Sequence, residues 1–115
     1  MLPKSRRIKR EEFSFVLGKG VRLNSTHLFL FCQKINPENL KKTSRFSFSI
    51  SKKVEKSAVK RNKLRRWGYS VLSNEINKTK DGFLLFFSYK NTKDLTYQVL
   101  QGEIIGLLSS TLVLE

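Results

Sequence analysis

Between Ser57 and about Asn77 the chain carries apolar residues at helical spacing, but only in the second half of the segment. Leu64, Trp67, Val71, Leu72 and Ile76 recur every three or four residues, a stripe able to lie on a sheet. The first half is almost wholly basic. Residues 51–66 hold eight Lys or Arg against one acid, Glu55, a local net charge of +7. One helix is therefore expected to have a structural end and a charged end. On that helix Arg61/Arg65 and Asn62/Arg66 stand at i,i+4 and form two adjacent columns on one surface. Like charges at this spacing repel, and a polyanion would offset the repulsion. Asn62 adds a donor and an acceptor that can reach a sugar hydroxyl, a phosphate or a base edge. A solvated basic face is the plain alternative. The scarcity of acids nearby favours RNA.

The elements around this helix follow from shorter patterns. Phe46, Phe48 and Ile50 alternate with Ser47, Ser49 and Ser51, which predicts a half-buried strand over Arg45 to Ser51. His27 to Gln33 predicts another, with Leu28, Leu30 and Cys32 on one face and Phe29 and Phe31 on the other. A short strand is expected near Val21–Leu23, and Phe83–Tyr89 is a further strand entered through an Asp81-Gly82 turn. Asn36-Pro37-Glu38-Asn39 reads as a loop. A helix is expected ahead of the strands, with Glu11 and Glu12 in its first turn, Phe13, Val16 and Leu17 on one stripe, and Gly18 and Gly20 as its stop. Asp94 or Thr96 can cap a last helix whose buried side is Leu100, Ile104, Leu107 and Leu108. Gly102 and Gly106 weaken that helix by roughly 1 kcal/mol each relative to Ala. The expected order is α-β-β-β-α-β-α: an α+β domain over 1–115 with about four strands. Residues 1–8 are expected to form a flexible basic arm.

Composition narrows the function classes. The net charge is +14 over 115 residues, while 39% of residues are hydrophobic, among them nine Phe. That hydrophobic content argues for a folded core, and the charge points to nucleic acid or an anionic membrane as partner. The basic half of the long helix has too little apolar face to embed in lipid, and no apolar run approaches the roughly 18–20 residues that span a bilayer. The basic first ten residues lack the apolar stretch of a secretory signal, and a cytoplasmic location is expected. The single cysteine, Cys32, excludes an internal disulfide and reads as a core thiol. The single histidine, His27, reads as a partly exposed strand-edge residue and excludes His-paired catalytic or metal motifs. The acids are scattered, giving no metal-ligand spacing, and no catalytic or metal-binding residue is expected in the chain. Phe13, Phe29 and Phe31 could serve as stacking platforms for single-stranded RNA. As core residues they would be equally ordinary.

One resemblance joins these pieces. Ser51-Lys-Lys, followed by Ser57-Ala-Val-Lys60-Arg61-Asn62-Lys63-Leu-Arg65-Arg66, is similar to the signature of the bacterial ribonuclease P protein subunits, an Arg-Asn-Arg core with more basic residues one turn later. The likeness extends to Lys9-Arg-Glu-Glu-Phe13-x-x-Val16-Leu17 ending at Gly20, to the aromatic strand, and to Leu95-Thr-Tyr97. It implies a small α/β sandwich with the basic helix in a left-handed β-α-β crossover, whereas such connections are right-handed in about 98% of cases.

The resemblance also implies a function. A catalytic RNA subunit, with Mg2+ bound mainly by that RNA, would cleave precursor tRNA to form the mature 5′ end. The protein would need no protein partner. Lys52, Lys53, Lys56, Lys60, Arg61, Asn62, Lys63, Arg65 and Arg66 would contact the RNA, and Phe13, Leu17 and Phe31 would line a cleft for the 5′ leader. Two positions depart from the pattern. Lys63 stands for the second arginine and lacks its bidentate fork. Leu17 stands where the first helix often has a second aromatic. Two rivals carry the same charge pattern: a ribosome-associated protein that binds rRNA, and a free-standing nuclease. The second is disfavoured by the missing histidines and paired acids.

Overall fold

The computed structural model describes residues 7–8, 21–34, 44–79 and 82–111. Within them run β1 (Val21–Asn24), β2 (Leu28–Lys34), β3 (Arg45–Ser49), helix α1 (Ala58–Glu75), β4 (Phe83–Tyr89) and helix α2 (Tyr97–Ser110). The sheet order is β1-β2-β4-β3. β2 pairs antiparallel with β1 and with β4, and β3 pairs parallel with β4. The parallel pair requires a crossover, and α1 supplies it. This is the β-α-β unit to which the resemblance assigns a left hand. The expected first helix, with Phe13 and Leu17, lies outside the described residues.

Alternation decides the two faces of the sheet. Leu28, Leu30, Cys32, Phe46, Phe48, Leu85, Phe87 and Tyr89 are buried in one core with Leu64, Val71 and Leu72 of α1 and Leu100, Ile104, Leu107 and Leu108 of α2. Each such side chain contributes about 1.5–3 kcal/mol when fully buried. Phe48 stacks on Phe87 with centroids 5.1 Å apart and planes at 6°. Directly above, a Cβ on Gly68 would fall 2.7 Å from the Phe48 ring, so glycine lets the α1 backbone rest on β3. The buried Tyr89 hydroxyl donates to the Leu64 carbonyl at 2.8 Å, which fixes α1 against the central strand, and burial pushes the phenol pKa up.

The expected stripe of α1 is correct at Leu64, Val71 and Leu72, while Trp67 and Ile76 pack only partly buried against the core. Ser57 caps α1 by accepting from Lys60 N, and Thr96, rather than Asp94, caps α2. Gly82 has φ +94, as a turn into β4 needs. Cys32 is buried and free, and burial pushes its thiol to about 11.

Residues 7–8, at the inner end of the expected arm, meet the sheet: Arg7 bridges Phe46 in parallel, Ile8 N donates to Phe46 O at 3.2 Å, and Ile8 is buried beside Leu84. β3 is an edge strand, and this short pairing engages the Phe46 carbonyl on its outer side. One expectation fails here: His27 is not partly exposed. It is 5% exposed, because α2 passes over the β1–β2 turn and brings Glu103 onto it.

Candidate nucleic-acid interface

The start of α1 is built from its own preceding loop. Val54 N and Glu55 N both donate to Ser51 O at 3.1 Å, and Glu55 Oε1 accepts from Ser57 N. Arg61 then turns back over this loop, its Nη1 donating to Glu55 O at 2.8 Å and Lys56 O at 2.9 Å. One turn later, Arg65 Nη2 donates to Asn62 Oδ1 at 2.5 Å. In the Arg61/Arg65 column, both guanidinium groups thus meet neutral acceptors inside the protein. Arg61 staples the loop, and the Asn62 carbonyl oxygen is used inside the protein. Asn62 is exposed, and its amide nitrogen has no partner among the described residues.

The other cations of this segment lie on the surface. Lys52, Lys53, Lys56, Lys60, Lys63 and Arg66 are exposed. Lys63 Nζ sits 4.8 Å from the Trp67 ring centroid. Among the described residues ion pairs join Lys78 to Glu75 and His27 to Glu103, and none involves residues 52–66. Beside this surface a groove of about 770 Å³ runs between α1 and the edge of β3, lined by Asn62, Arg65, Arg66, Tyr69, Ser70, Ser73 and Phe48. The structure thus joins Asn62, Arg65 and Arg66 to three hydroxyls further along α1. Tyr69, Ser70 and Ser73 were not singled out in the sequence. Their i,i+4 relation to Arg65, Arg66 and Tyr69 was the available signal.

The sheet face turned away from α1 and α2 is a second surface. Strand register aligns Asn24, Phe29, Ser88 and Ser49 in one row, and Arg22, Phe31, Phe86 and Ser47 in the next. Gln33, Leu84 and Arg45 follow. These eleven positions include no carboxylate. Phe31 is half-buried and stacks on Phe86 with centroids 5.9 Å apart. It packs against Ile8 and Leu84, so it belongs partly to a small satellite core. Phe13 and Leu17, expected beside it, lie outside the described residues.

A third polar cluster is internal. Glu103 Oε1 accepts from His27 N at 2.8 Å and from the Ser25 hydroxyl, while Oε2 lies 2.5 Å from His27 Nδ1. The Lys93 carbonyl accepts from His27 Nε2 at 2.6 Å. Both ring nitrogens therefore face acceptors, the arrangement of an imidazolium. Burial works to lower the His27 pKa, but the Lys93 carbonyl and then Glu103 outweigh it, and the pKa lies above the ordinary 6.5. Burial likewise works to raise Glu103, but hydrogen bonds from Ser25 and His27 outweigh it and hold the carboxyl below 4.5. Every member has a partner, so this cluster is structural. Among the described residues no three of His, Cys, Asp and Glu gather as a metal site would require, and no helix is long and apolar enough to cross a membrane.

The profile of the family described as Ribonuclease P matches residues 2–111. The chain belongs to the ribonuclease P protein family. It is 31% identical over 117 residues to the ribonuclease P protein component of Pseudanabaena sp., an alignment covering 100% of this chain and 98% of that one. It is 44% identical over 66 residues to the Microcystis aeruginosa component, covering 56% of this chain and 55% of the relative. The same shape occurs in the solved RNase P protein of Staphylococcus aureus (TM-score 0.82, 23% identity, 97% of this chain and 100% of that one). It occurs again in that of Thermotoga maritima (TM-score 0.77, 18% identity, 90% and 96%). Family membership places the chain in tRNA 5′ processing, as the protein component that works with the ribonuclease P RNA.

Proposed function

We propose that this chain, as one RNA-binding domain over 1–115, binds the catalytic RNA of ribonuclease P and the 5′ leader of precursor tRNA, so that the RNA cuts the leader away. The observation that carries the reading is the unpaired charge at the start of α1. Lys52, Lys53, Lys56, Lys60, Lys63 and Arg66 are exposed with no carboxylate partner among the described residues. Such a surface binds a polyanion by releasing its counterions. Arg65 and Arg66 carry the contact into the groove beside β3, where the Tyr69 hydroxyl, which accepts from Phe48 N, keeps its proton for a phosphate or sugar oxygen. Arg61 acts mainly by shaping the loop that presents the lysines.

The acid-free aromatic face of the sheet suits single-stranded RNA. Phe31, with Phe13 and Leu17, would receive the leader. Metal-assisted hydrolysis is assigned to the RNA with its Mg2+, a division of labour that membership of the ribonuclease P family supports. The chain needs no protein partner for this role, and a cytoplasmic location suits it.

The test is reconstitution. Purified protein added to its cognate RNA should raise cleavage of precursor tRNA at low magnesium, and failure to do so overturns the reading. Phe31→Ala should weaken binding of substrate with a leader more than binding of mature tRNA.

A further inference from the structure

The Asn62 amide is held in one orientation, and that limits what it can recognise. Its Oδ1 accepts from Arg65 Nη2 at 2.5 Å, which leaves a ligand only Nδ2, a donor with no partner among the described residues. An asparagine free to use both atoms pairs with adenine, accepting from N6 and donating to N7. Asn62 lacks that option while its acceptor is spent on a guanidinium, in a charge-assisted bond. One turn along α1, about 6 Å on, Arg66 is exposed without a partner among the described residues, and a guanidinium can only donate. Both residues line the groove beside β3, whose volume of about 770 Å³ is that of a ligand pocket. Phe48 and Tyr69 add aromatic surface to it, and Tyr69 Oη, accepting from Phe48 N, keeps a proton to donate. The serine hydroxyls lie further along. Ser70 Oγ bonds the Tyr97 hydroxyl at 2.8 Å, and Ser73 Oγ, which donates to the Ser70 carbonyl, stands about 16 Å of helix beyond Asn62.

We infer that this groove seats an unpaired guanosine of the bound RNA, with N7 and O6 of the base on the donors of Asn62 and Arg66. The inference rests on the reading of α1 as an RNA-binding helix and adds a base preference to it. Guanine alone presents two adjacent acceptors and no donor on that edge. Adenine sets its N6 amino group beside N7 and so meets a donor with a donor, uracil offers the single acceptor O4, and cytosine offers a donor. The guanosine is unpaired because the deep, narrow major groove of an RNA helix keeps side chains from this edge. The Tyr69 proton and the remaining N–H groups of Arg65 are left for its sugar and phosphate oxygens. Arg65 is thus a positioning residue: it acts on the choice of base through Asn62.

The experiment titrates the full chain with RNA hairpins that share one stem and carry a single bulged nucleotide, G, A, U or C. The G bulge should bind about tenfold more tightly than the A bulge, within the discrimination expected of a good base-edge contact. A bulged 7-deazaguanosine, which has carbon in place of N7 and an intact Watson–Crick edge, should lose most of that advantage. Arg65→Leu should weaken all four hairpins through the lost cation, and in addition bring the G-to-A ratio towards one, because Asn62 regains its acceptor. Arg65→Lys, which can still donate to Asn62 Oδ1, should keep the preference. An Arg65→Leu ratio equal to that of the wild type would overturn the positioning role and the preference built on it. Equal binding of the four bulges, tightest binding of another base, or no hairpin binding at all would overturn the inference. The RNA-binding reading survives each of these outcomes if reconstituted cleavage succeeds; failure of hairpin binding and of reconstitution together sinks both.

Discussion

The His27–Glu103 cluster and the start of α1 treat charge in opposite ways. At the first, one acid and one base are buried together and every polar atom is met from inside the chain. At the second, lysines crowd the surface with no acid opposite them among the described residues, and only Arg61 and Arg65 find internal acceptors, all of them neutral. Charge that is satisfied within the fold holds the fold together. Charge left unpaired at this density is held ready for a ligand of opposite sign. Arg61 stands on the boundary, because it serves the loop first.

Perturbing the satisfied cluster should have the largest effect on stability. Glu103→Ala leaves a buried imidazole and the Ser25 hydroxyl without their acceptor, and should destabilise by about 3 kcal/mol in denaturant unfolding. RNA affinity of the folded fraction should not change. A loss below about 1 kcal/mol would mean the cluster is peripheral. Gly68→Ala comes next. Its new methyl group meets the Phe48 ring, and an overpacked core typically loses about 1–3 kcal/mol. Unchanged stability would show that α1 can shift off β3.

The pH dependence sharpens the same contrast. The His27 pKa is raised, so its contribution is fully present below 6.5 and fades as pH rises through its folded value. The Glu103 pKa is lowered, so its contribution is fully present above 4.5 and fades as pH falls through its folded value. The pair should therefore support the fold best between those limits, and His27→Gln should flatten the alkaline side of a melting-temperature profile. A variant profile parallel to that of the wild type would remove the coupling. Arg61→Ala has the smallest stability effect of the set, about 1 kcal/mol from two carbonyl contacts, together with weaker RNA binding. Weaker binding with no change in stability would place Arg61 with the free lysines.

Much of the fold was legible because it is written in local periodicity. The Phe46/Phe48 alternation gave β3, the run Phe83–Tyr89 matched β4 at both ends, and Ser57 before a 3–4 stripe marked the start of α1. What the chain concealed depends on distant contacts. His27 lies 76 residues from the Glu103 that buries it, and Gly68 is explained only by a ring on another strand. The site was half legible. The cluster of Lys and Arg names itself, but no spacing rule says which arginine will fold back onto a loop carbonyl. Tyr69, Ser70 and Ser73 became part of the groove only once α1 lay beside β3.

The most direct measurement is the salt dependence of binding to the cognate ribonuclease P RNA, for the wild type and for Lys60→Gln/Arg66→Gln. The log–log slope should become shallower by about 1 for each cation removed, with stability unchanged within about 0.5 kcal/mol. Equal slopes and equal affinities would mean that the exposed cations of α1 do not touch the RNA.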